Sequence, residues 1–469
     1  MNFNLLKNKN LIVFVLISGI FISKIFFLTK LNGLGWEADE YMHFLEAKTL
    51  FTNFPNNLDI GIGVWSKPGY VYLYGILITI FNITSLIQAQ IITILLGLIT
   101  GWLVLKILEA LKCSFKIQIL GLVLVNFSFL MFRGSLSIMT EPIFALFLTA
   151  GIYFLLKNKF NMAALMIGFL PLVRIEGLFF VATGLMIIIV SKFRQQHFEA
   201  SSFELRHLIP LLIPTVIWNF LGFLMTNRFF YVVDSGYPLT PGKYGHGGWP
   251  YYFEGFLKLD PVIFILFVIS AVYIYRFFRK KDWIKFGIVF SFLLFFVLQV
   301  IFWKFGLFAT AGLMRYFVTV LPLAIIAIAL FFERLFKTSK DSLEKYLIVF
   351  AICFIQIFFT VMLFMRGGIV FNQQTRAQIE PGIKEAGQWI HEYVSSDEKL
   401  YADVPEVIYF AGRDLNNSTI FGVNEALAKN ESAIYVFKRG IERENSFFDK
   451  LPGVEIVSFN DNVFIVKLL

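Results

Sequence analysis

Asp39 and Glu40 stand side by side in the stretch Leu-Asn-Gly-Leu-Gly-Trp-Glu-Ala-Asp-Glu-Tyr-Met-His, residues 31–43, which follows the first apolar run of the chain. Desolvating a carboxylate is costly, so an acidic pair beside a lipid surface has little structural purpose. A carboxylate in that position can act as a general base. A solvated loop accounts for the pair equally well when it is taken alone.

Other ionisable residues recur where apolar runs end. Arg133 and Glu141 flank Gly-Ser-Leu-Ser-Ile-Met-Thr, and Lys67-Pro68-Gly69-Tyr70 opens another apolar stretch. Arg174-Ile175-Glu176-Gly177 interrupts two apolar runs, and Lys304 and Arg315-Tyr316 precede a later one. Cations that converge at a lipid–water boundary suit an anionic headgroup, with arginine binding phosphate as a planar fork and lysine as a point charge. Snorkelling and helix-end anchoring explain many such residues, and Lys24 reads that way. Arg174, set directly inside apolar sequence, reads as functional.

These residues must be positioned by membrane helices. Of 469 residues, 58% are hydrophobic and only 16% are charged, against about 25% charged in an ordinary soluble chain. Apolar runs recur from Leu11 to Met365, which is the pattern of a polytopic membrane protein. The expected spans are 11–29, 86–111, 117–132, 142–156, 160–173, 177–191, 208–225, 261–278, 286–303, 317–332 and 346–365. The stretch 68–83 is ambiguous, and loop charge decides it. With the N-terminus inside and 68–83 lying along the outer face, 19 basic residues fall in inner loops and span ends, against 10 outside before residue 366. A crossing at 68–83 would reverse that bias. The net charge of +9 therefore sets topology and does not signal nucleic acid.

This arrangement expects eleven spans with outer juxtamembrane helices. It places the 30–85 region, the 133–141 loop, the 226–260 loop and everything after residue 365 on the extracytoplasmic side. The 1–365 segment reads as the membrane module, and 366–469 as a small extracytoplasmic α/β domain. In that tail, Ile379, Ile383, Ile390 and Val394 mark one helix face. Leu400–Val404, Ala433–Phe437, Val454–Phe459 and Val463–Leu468 read as strands, with a turn at 460–462 between the last two.

The 226–260 loop mixes aromatics, Gly and Pro with few charges, and carries Tyr237, Lys243 and His246. It suits either a sugar-facing lid or a structured connector. No phosphate-binding glycine loop, Gly-x-Ser-x-Gly or Cys-x-x-Cys is present, which argues against an ATPase. Cys113 and Cys353 imply no disulfide. None of the five histidines pairs at ligand spacing. No cofactor is required, although Asp39 and His43 could share a helix face and help hold a divalent cation.

In this order the motifs resemble the GT-C superfamily of membrane glycosyltransferases, and within it the protein O-mannosyltransferase-like and aminoarabinose-transferase-like group. Trp36-Glu-Ala-Asp39-Glu40-Tyr41 resembles that group's Asp-Glu motif in the first outer loop. Lys67-Pro68 resembles its Lys-Pro-Pro motif, with Gly69 in place of the second proline. Met139-Thr-Glu141-Pro142 is similar to its Thr-Glu-Pro motif, and Arg174-Ile-Glu-Gly177 to an Arg-Pro-Glu-Gly pattern. Arg315-Tyr316 resembles a late Arg-Tyr pattern, the 228–243 loop resembles one of Arg, aromatics, Gly, Pro and Lys, and Val407 to Arg413 resembles part of an outer C-terminal domain.

The resemblance implies inverting transfer of a sugar from a polyprenyl-phosphate donor to a protein, lipid or glycan acceptor. Asp39 would take the acceptor proton, with Glu40 in support. Arg174, Arg315, Lys67, Tyr316 and Arg133 would hold the donor phosphate. Glu141, Glu176, Lys243, His246 and Tyr237 would support them or bind the acceptor. A flippase or transporter for polyprenyl-linked lipids or sugars is the alternative, although transporters typically carry paired repeats and midplane ionisable groups. A sensor or scaffold with a ligand-binding outer domain is a third reading.

Overall fold

The computed structural model describes residues 8–30, 38–52, 54–63, 67–194, 208–231, 245–272, 279, 282–307, 310–338, 342–365, 373–420, 433–438, 454–460 and 463–468. The helices in chain order are α1 (Lys9–Thr29), α2 (Ala38–Thr52), α3 (Leu58–Ile62), α4 (Pro68–Ile80), α5 (Leu86–Ala110), α6 (Phe115–Phe127), α7 (Phe129–Ser135), α8 (Thr140–Leu156), α9 (Phe160–Gly168), α10 (Leu170–Val173), α11 (Gly177–Arg194), α12 (Ile209–Thr226), α13 (Tyr251–Leu259), α14 (Pro261–Ala271) and α15 (Trp283–Phe305). A 3₁₀ turn (Met314–Thr319) leads into α16 (Leu321–Thr338), and α17 (Ser342–Met365) and α18 (Gln373–Tyr393) follow. The rest is β1 (Leu400–Ala402), α19 (Pro405–Phe410), β2 (Ser418–Ile420), β3 (Ile434–Lys438), β4 (Val454–Asn460) and β5 (Val463–Leu468).

The chain forms two compact units. One comprises Met1–Gly33, Ile62–Tyr70 and Gln90–Met365, and the other Leu34–Gly61, Val71–Ala89 and Arg366–Leu469. A sequence boundary at 366 leaves out the two early segments that the fold adds to the tail.

The first unit is a helical membrane bundle. Among the described residues, five helices are long and apolar enough to cross a bilayer, or six if the bent pair α6–α7 counts as one span. Four further apolar helices among the described residues are shorter: Thr140–Leu156, Phe160–Val173, Pro261–Ala271 and Pro68–Ile80, the last lying mostly in the second unit. Length and apolarity alone therefore do not reach the eleven spans read from the sequence. At 1.5 Å per residue, the 13 residues of α4 extend about 20 Å, less than a hydrocarbon core of about 30 Å. In α16 every residue from Leu321 to Leu330 that is apolar is buried, so this helix lies inside the bundle. α1 and α17 instead expose Phe14, Ile22, Phe350, Phe354 and Phe358, as lipid-facing surfaces do.

The α6–α7 break has an identifiable cause. The two helices meet at 62° around Ser128. There Asp260, fully buried, accepts from the Ser128 hydroxyl (2.8 Å) and from the backbone N–H groups of Phe129 (2.8 Å) and Leu130 (3.0 Å). Gln356 donates to Asp260 (3.1 Å) and to the Phe127 carbonyl (2.8 Å). The groups that a broken helix leaves without partners are thus satisfied by α14's N-cap residue and by α17. Lys24 does not snorkel. It is buried, donates to Asn126 (3.1 Å) and lies 5.6 Å from the Phe132 ring centre.

The second unit is α/β. Its sheet has the order β2-β1-β3-β5-β4, with β1 parallel to β2 and β3, and β5 antiparallel to β3 and β4. Strand β2 and helix α19 were not foreseen, and the 461–462 turn lies outside the described residues. Ile383 and Ile390 of α18, with Val394 just past its end, are buried against Leu400, Val407 and Ile434; the side chain of Ile379 lies outside the described residues. Arg413 closes the end of α18 by donating to the carbonyls of Val394, Ser395, Ser396 and Glu398.

Helix α2 belongs to this unit. Leu45 joins its core, and the Tyr41 and Phe44 rings lie 5.2 and 5.6 Å from that of Tyr409 on α19. The Leu415 N–H donates to Thr49 (3.1 Å), Asn57 to Asn416 (3.0 Å), and the Leu86 N–H to the Tyr409 hydroxyl (3.0 Å). The helix that carries Asp39 is therefore held by the C-terminal tail.

Candidate active site

In the membrane unit, three helix ends bring charged residues to one place. Thr140 and Glu141 occupy the first turn of α8, where a carboxylate is favoured by the helix dipole. Arg174 is the extended residue that ends α10, and Glu176 follows in a tight turn before α11. Gly177 makes that turn possible, because a Cβ there would meet the Leu170 carbonyl carbon at 2.2 Å. Arg315 and Tyr316 lie on the 3₁₀ turn, which packs against α7 and α8.

The geometry is a shared ion-pair network. Arg174 Nη1 donates to Glu141 Oε1 (2.7 Å) and to Thr140 (3.0 Å). Its Nη2 and Nε donate to the two oxygens of Glu176 (2.8 and 3.3 Å), and its guanidinium lies 4.8 Å from the Tyr316 ring centre. Arg315 Nε is 3.3 Å from Glu141 Oε1. Burial alone would raise the Glu176 carboxyl, but Arg174's charge and hydrogen bonds, with a smaller effect from Lys67, bring it below its ordinary value. Burial pushes Arg315 down to about 10, so it remains a cation at neutral pH. Most of the Arg174 fork is engaged by protein carboxylates, which makes it a poorer anion ligand than its isolated sequence position suggests.

Two departures from the family motifs have structural reasons. A Cβ at Gly69 would lie 3.0 Å from the Leu172 side chain and 3.1 Å from the Leu172 backbone, so the start of α4 approaches α10 closely. Ile175 packs beside Ile62, Trp218 and Tyr231, with the Trp218 N–H donating to the Ile62 carbonyl (2.8 Å). Lys67 is buried beside this approach with φ +56°.

The remaining sequence candidates are more scattered. Arg133 is half-buried at the end of α7, and His246 is exposed on a loop. Tyr237 and Lys243 lie outside the described residues. Asp39 and Glu40 are in the first turn of α2 in the other unit, Asp39 half-buried and Glu40 fully buried. His43 Nδ1 lies 3.6 Å from Glu46 Oε2 on the same helix. Among the described residues no three of His, Cys, Asp and Glu gather as a metal site.

Sequence reasoning missed three contributors. Tyr70 is fully buried and donates to the Ile138 carbonyl (3.4 Å), steadying the turn before α8. Asp260 had one signal, its position directly before Pro261 and an apolar run, the pattern of an N-cap. Tyr252 had none, since an amphipathic Tyr-rich helix does not show which ring turns inward.

No protein-family model and no curated protein sequence matches the chain. Solved structures do. ArnT from Cupriavidus metallidurans in the apo state aligns with a TM-score of 0.60 at 12% identity, over 92% of this chain and 93% of that one. The chain has the GT-C fold. The same ArnT bound to undecaprenyl phosphate aligns with a TM-score of 0.56 at 11% identity, over 86% and 88% of the two chains. The oligosaccharyltransferase AglB from Archaeoglobus fulgidus, in complex with an inhibitory peptide and a dolichol-phosphate, aligns with a TM-score of 0.53 at 12% identity, over 90% and 69%. With this fold, the several apolar helices indicate a membrane location.

Proposed function

We propose that this protein is an integral membrane glycosyltransferase that moves a sugar from a polyprenyl-phosphate donor to an extracytoplasmic acceptor, with inversion. The observation that carries this reading is the meeting of Arg174 and Arg315 on Glu141 in a GT-C fold whose solved relatives bind undecaprenyl phosphate and dolichol-phosphate.

In the proposed reaction Asp39 accepts the proton of the acceptor hydroxyl or amine. The acceptor atom forms a bond to the anomeric carbon, and the bond from that carbon to the phosphate oxygen breaks. Polyprenyl phosphate leaves with the electron pair. Arg315 and Lys67 stabilise the charge that grows on the phosphate, the electrostatic contribution that usually dominates such steps. Arg174 acts as a positioning residue, because its donors are committed to Glu141, Glu176 and Thr140. Glu40 supports Asp39. The acceptor, protein, lipid or glycan, approaches from the extracytoplasmic side, as the loop charges require with eleven spans and α4 along the outer face.

The test is donor turnover. Purified protein in nanodiscs, given undecaprenyl-phosphate sugars and a cell-envelope extract, should release undecaprenyl phosphate. Mass spectrometry of envelope glycans and glycoproteins, with and without the gene, should show one missing sugar. A transporter would move the donor lipid without consuming it, and that result would overturn the reading.

A further inference from the structure

Two buried polar atoms, one on α13 and one on α15, have no hydrogen-bond partner among the described residues. Tyr252 on α13 is fully buried and Gln299 on α15 is 2% exposed. Neither the phenol oxygen nor the amide oxygen has a hydrogen-bond partner among the described residues. Leaving such a group unsatisfied costs more than a made hydrogen bond returns, so two in one neighbourhood call for a reason.

That neighbourhood adjoins the 3₁₀ turn. The Tyr252 ring lies 5.1 Å from that of Phe317, the residue after Tyr316. The Phe295 and Phe296 rings lie 5.8 and 5.4 Å from the same Phe317 ring. Gln299 is one helical turn beyond Phe295, and Trp303 one turn further, where its ring is 5.2 Å from that of Tyr251. Phe317, which follows Arg315 and Tyr316 in the chain, thus gathers the rings of Tyr252, Phe295 and Phe296, and Gln299 stands on α15 one turn from Phe295.

We infer that Tyr252 and Gln299 form a subsite that binds hydroxyl groups of the transferred sugar, next to the phosphate held at Arg315. The inference rests on the glycosyltransferase reading of that site. Its chemistry is distinct from phosphate binding. A phosphate at neutral pH offers acceptors only, whereas an amide oxygen needs a donor, and sugar hydroxyls both donate and accept. Burial raises the Tyr252 phenol well above its ordinary value, so it stays protonated and can donate. Its hydroxyl also feels the charges of Tyr316 and Glu176, on the side of the ion-pair network.

The experiment compares a bare carrier with sugar-bearing donors. Undecaprenyl phosphate is one probe. Undecaprenyl phosphate bearing glucose, mannose or 4-amino-arabinose forms the panel. Affinities are measured for the wild type, Tyr252→Phe and Gln299→Met in nanodiscs, with thermal stability recorded alongside. The wild type should prefer one panel member over bare undecaprenyl phosphate. Each variant should bind bare undecaprenyl phosphate within twofold of wild type and lose about three- to tenfold for the preferred donor, the scale of one neutral hydrogen bond. Neither should melt below wild type, since each removes a buried oxygen that has no hydrogen-bond partner among the described residues. Equal losses for bare and sugar-bearing lipids would overturn the subsite, as would no loss for either or a wild type indifferent to the sugar. A wild type that binds none of the four lipids would overturn the donor reading itself.

Discussion

Arg174 and Arg315, 141 positions apart in the chain, converge on a single carboxylate oxygen: Glu141 Oε1 lies 2.7 Å from Arg174 Nη1 and 3.3 Å from Arg315 Nε. The two arginines are not equivalent. Arg174 also closes a fork-to-fork pair with Glu176, so its removal takes the paired cation from buried Glu176 and one of two arginines from Glu141. Arg315→Gln should lower affinity for undecaprenyl phosphate about ten- to hundred-fold, the worth of a charge-assisted hydrogen bond, and lysine should restore it only in part. Arg174→Gln should chiefly reduce stability, by roughly 3–5 kcal/mol. Binding isotherms and thermal melts separate the two. Unchanged lipid affinity in a folded Arg315→Gln protein would mean that the cluster only anchors helix ends.

Glu176→Gln tests the network through pH. The carboxyl is held below its ordinary 4.5, so its pairing with Arg174 contributes fully above about pH 4.5 and is lost as pH falls through the lower folded-state value. The variant should therefore melt below wild type at pH 7, by about 1–3 kcal/mol, and the gap should close in acid. A gap that widened on acidification would contradict the ion pair.

Asp39→Asn should abolish transfer, with a loss of roughly 10²–10⁴-fold or more, while the melting temperature stays near wild type. An amide keeps the shape of the carboxylate but cannot take the acceptor proton. Glu40→Gln should do less harm to turnover. A well-folded Asp39→Asn protein with normal turnover would remove Asp39 from the mechanism.

Asp260→Ala should destabilise the membrane unit by roughly 3–5 kcal/mol, because the N–H groups of Phe129 and Leu130 lose their acceptor inside the bundle. Asp260→Asn keeps one carbonyl oxygen and should cost less. Chemical denaturation in mild detergent gives the comparison.

A cysteine at Asn82 or Ser85, just past α4, should react with an impermeant thiol reagent added from outside. Labelling only after permeabilisation would show that α4 crosses, and every later loop would change sides.

The membrane class of this protein was legible in the chain, and so were Glu141, Arg174 and Arg315 as charged residues at the ends of apolar runs, which the fold brings together. Hydropathy and short motifs are local properties, and each residue carries them before any folding. Helix length in the bundle was less legible, since the apolar run at 117–132 continues through a 62° break whose cause, Asp260, lies 132 positions from Ser128. The allegiance of α2 was not legible at all. Nothing in the sequence around Tyr41 points to Tyr409, whose ring lies 5.2 Å from it. Nor could sequence tell that Arg174 is already occupied by Glu141 and Glu176 while the side-chain oxygens of Tyr252 and Gln299 are buried with no partner among the described residues. Residue types determine which hydrogen bonds and ion pairs a side chain can make. Which of them it does make depends on neighbours that only the tertiary structure brings within 3 Å.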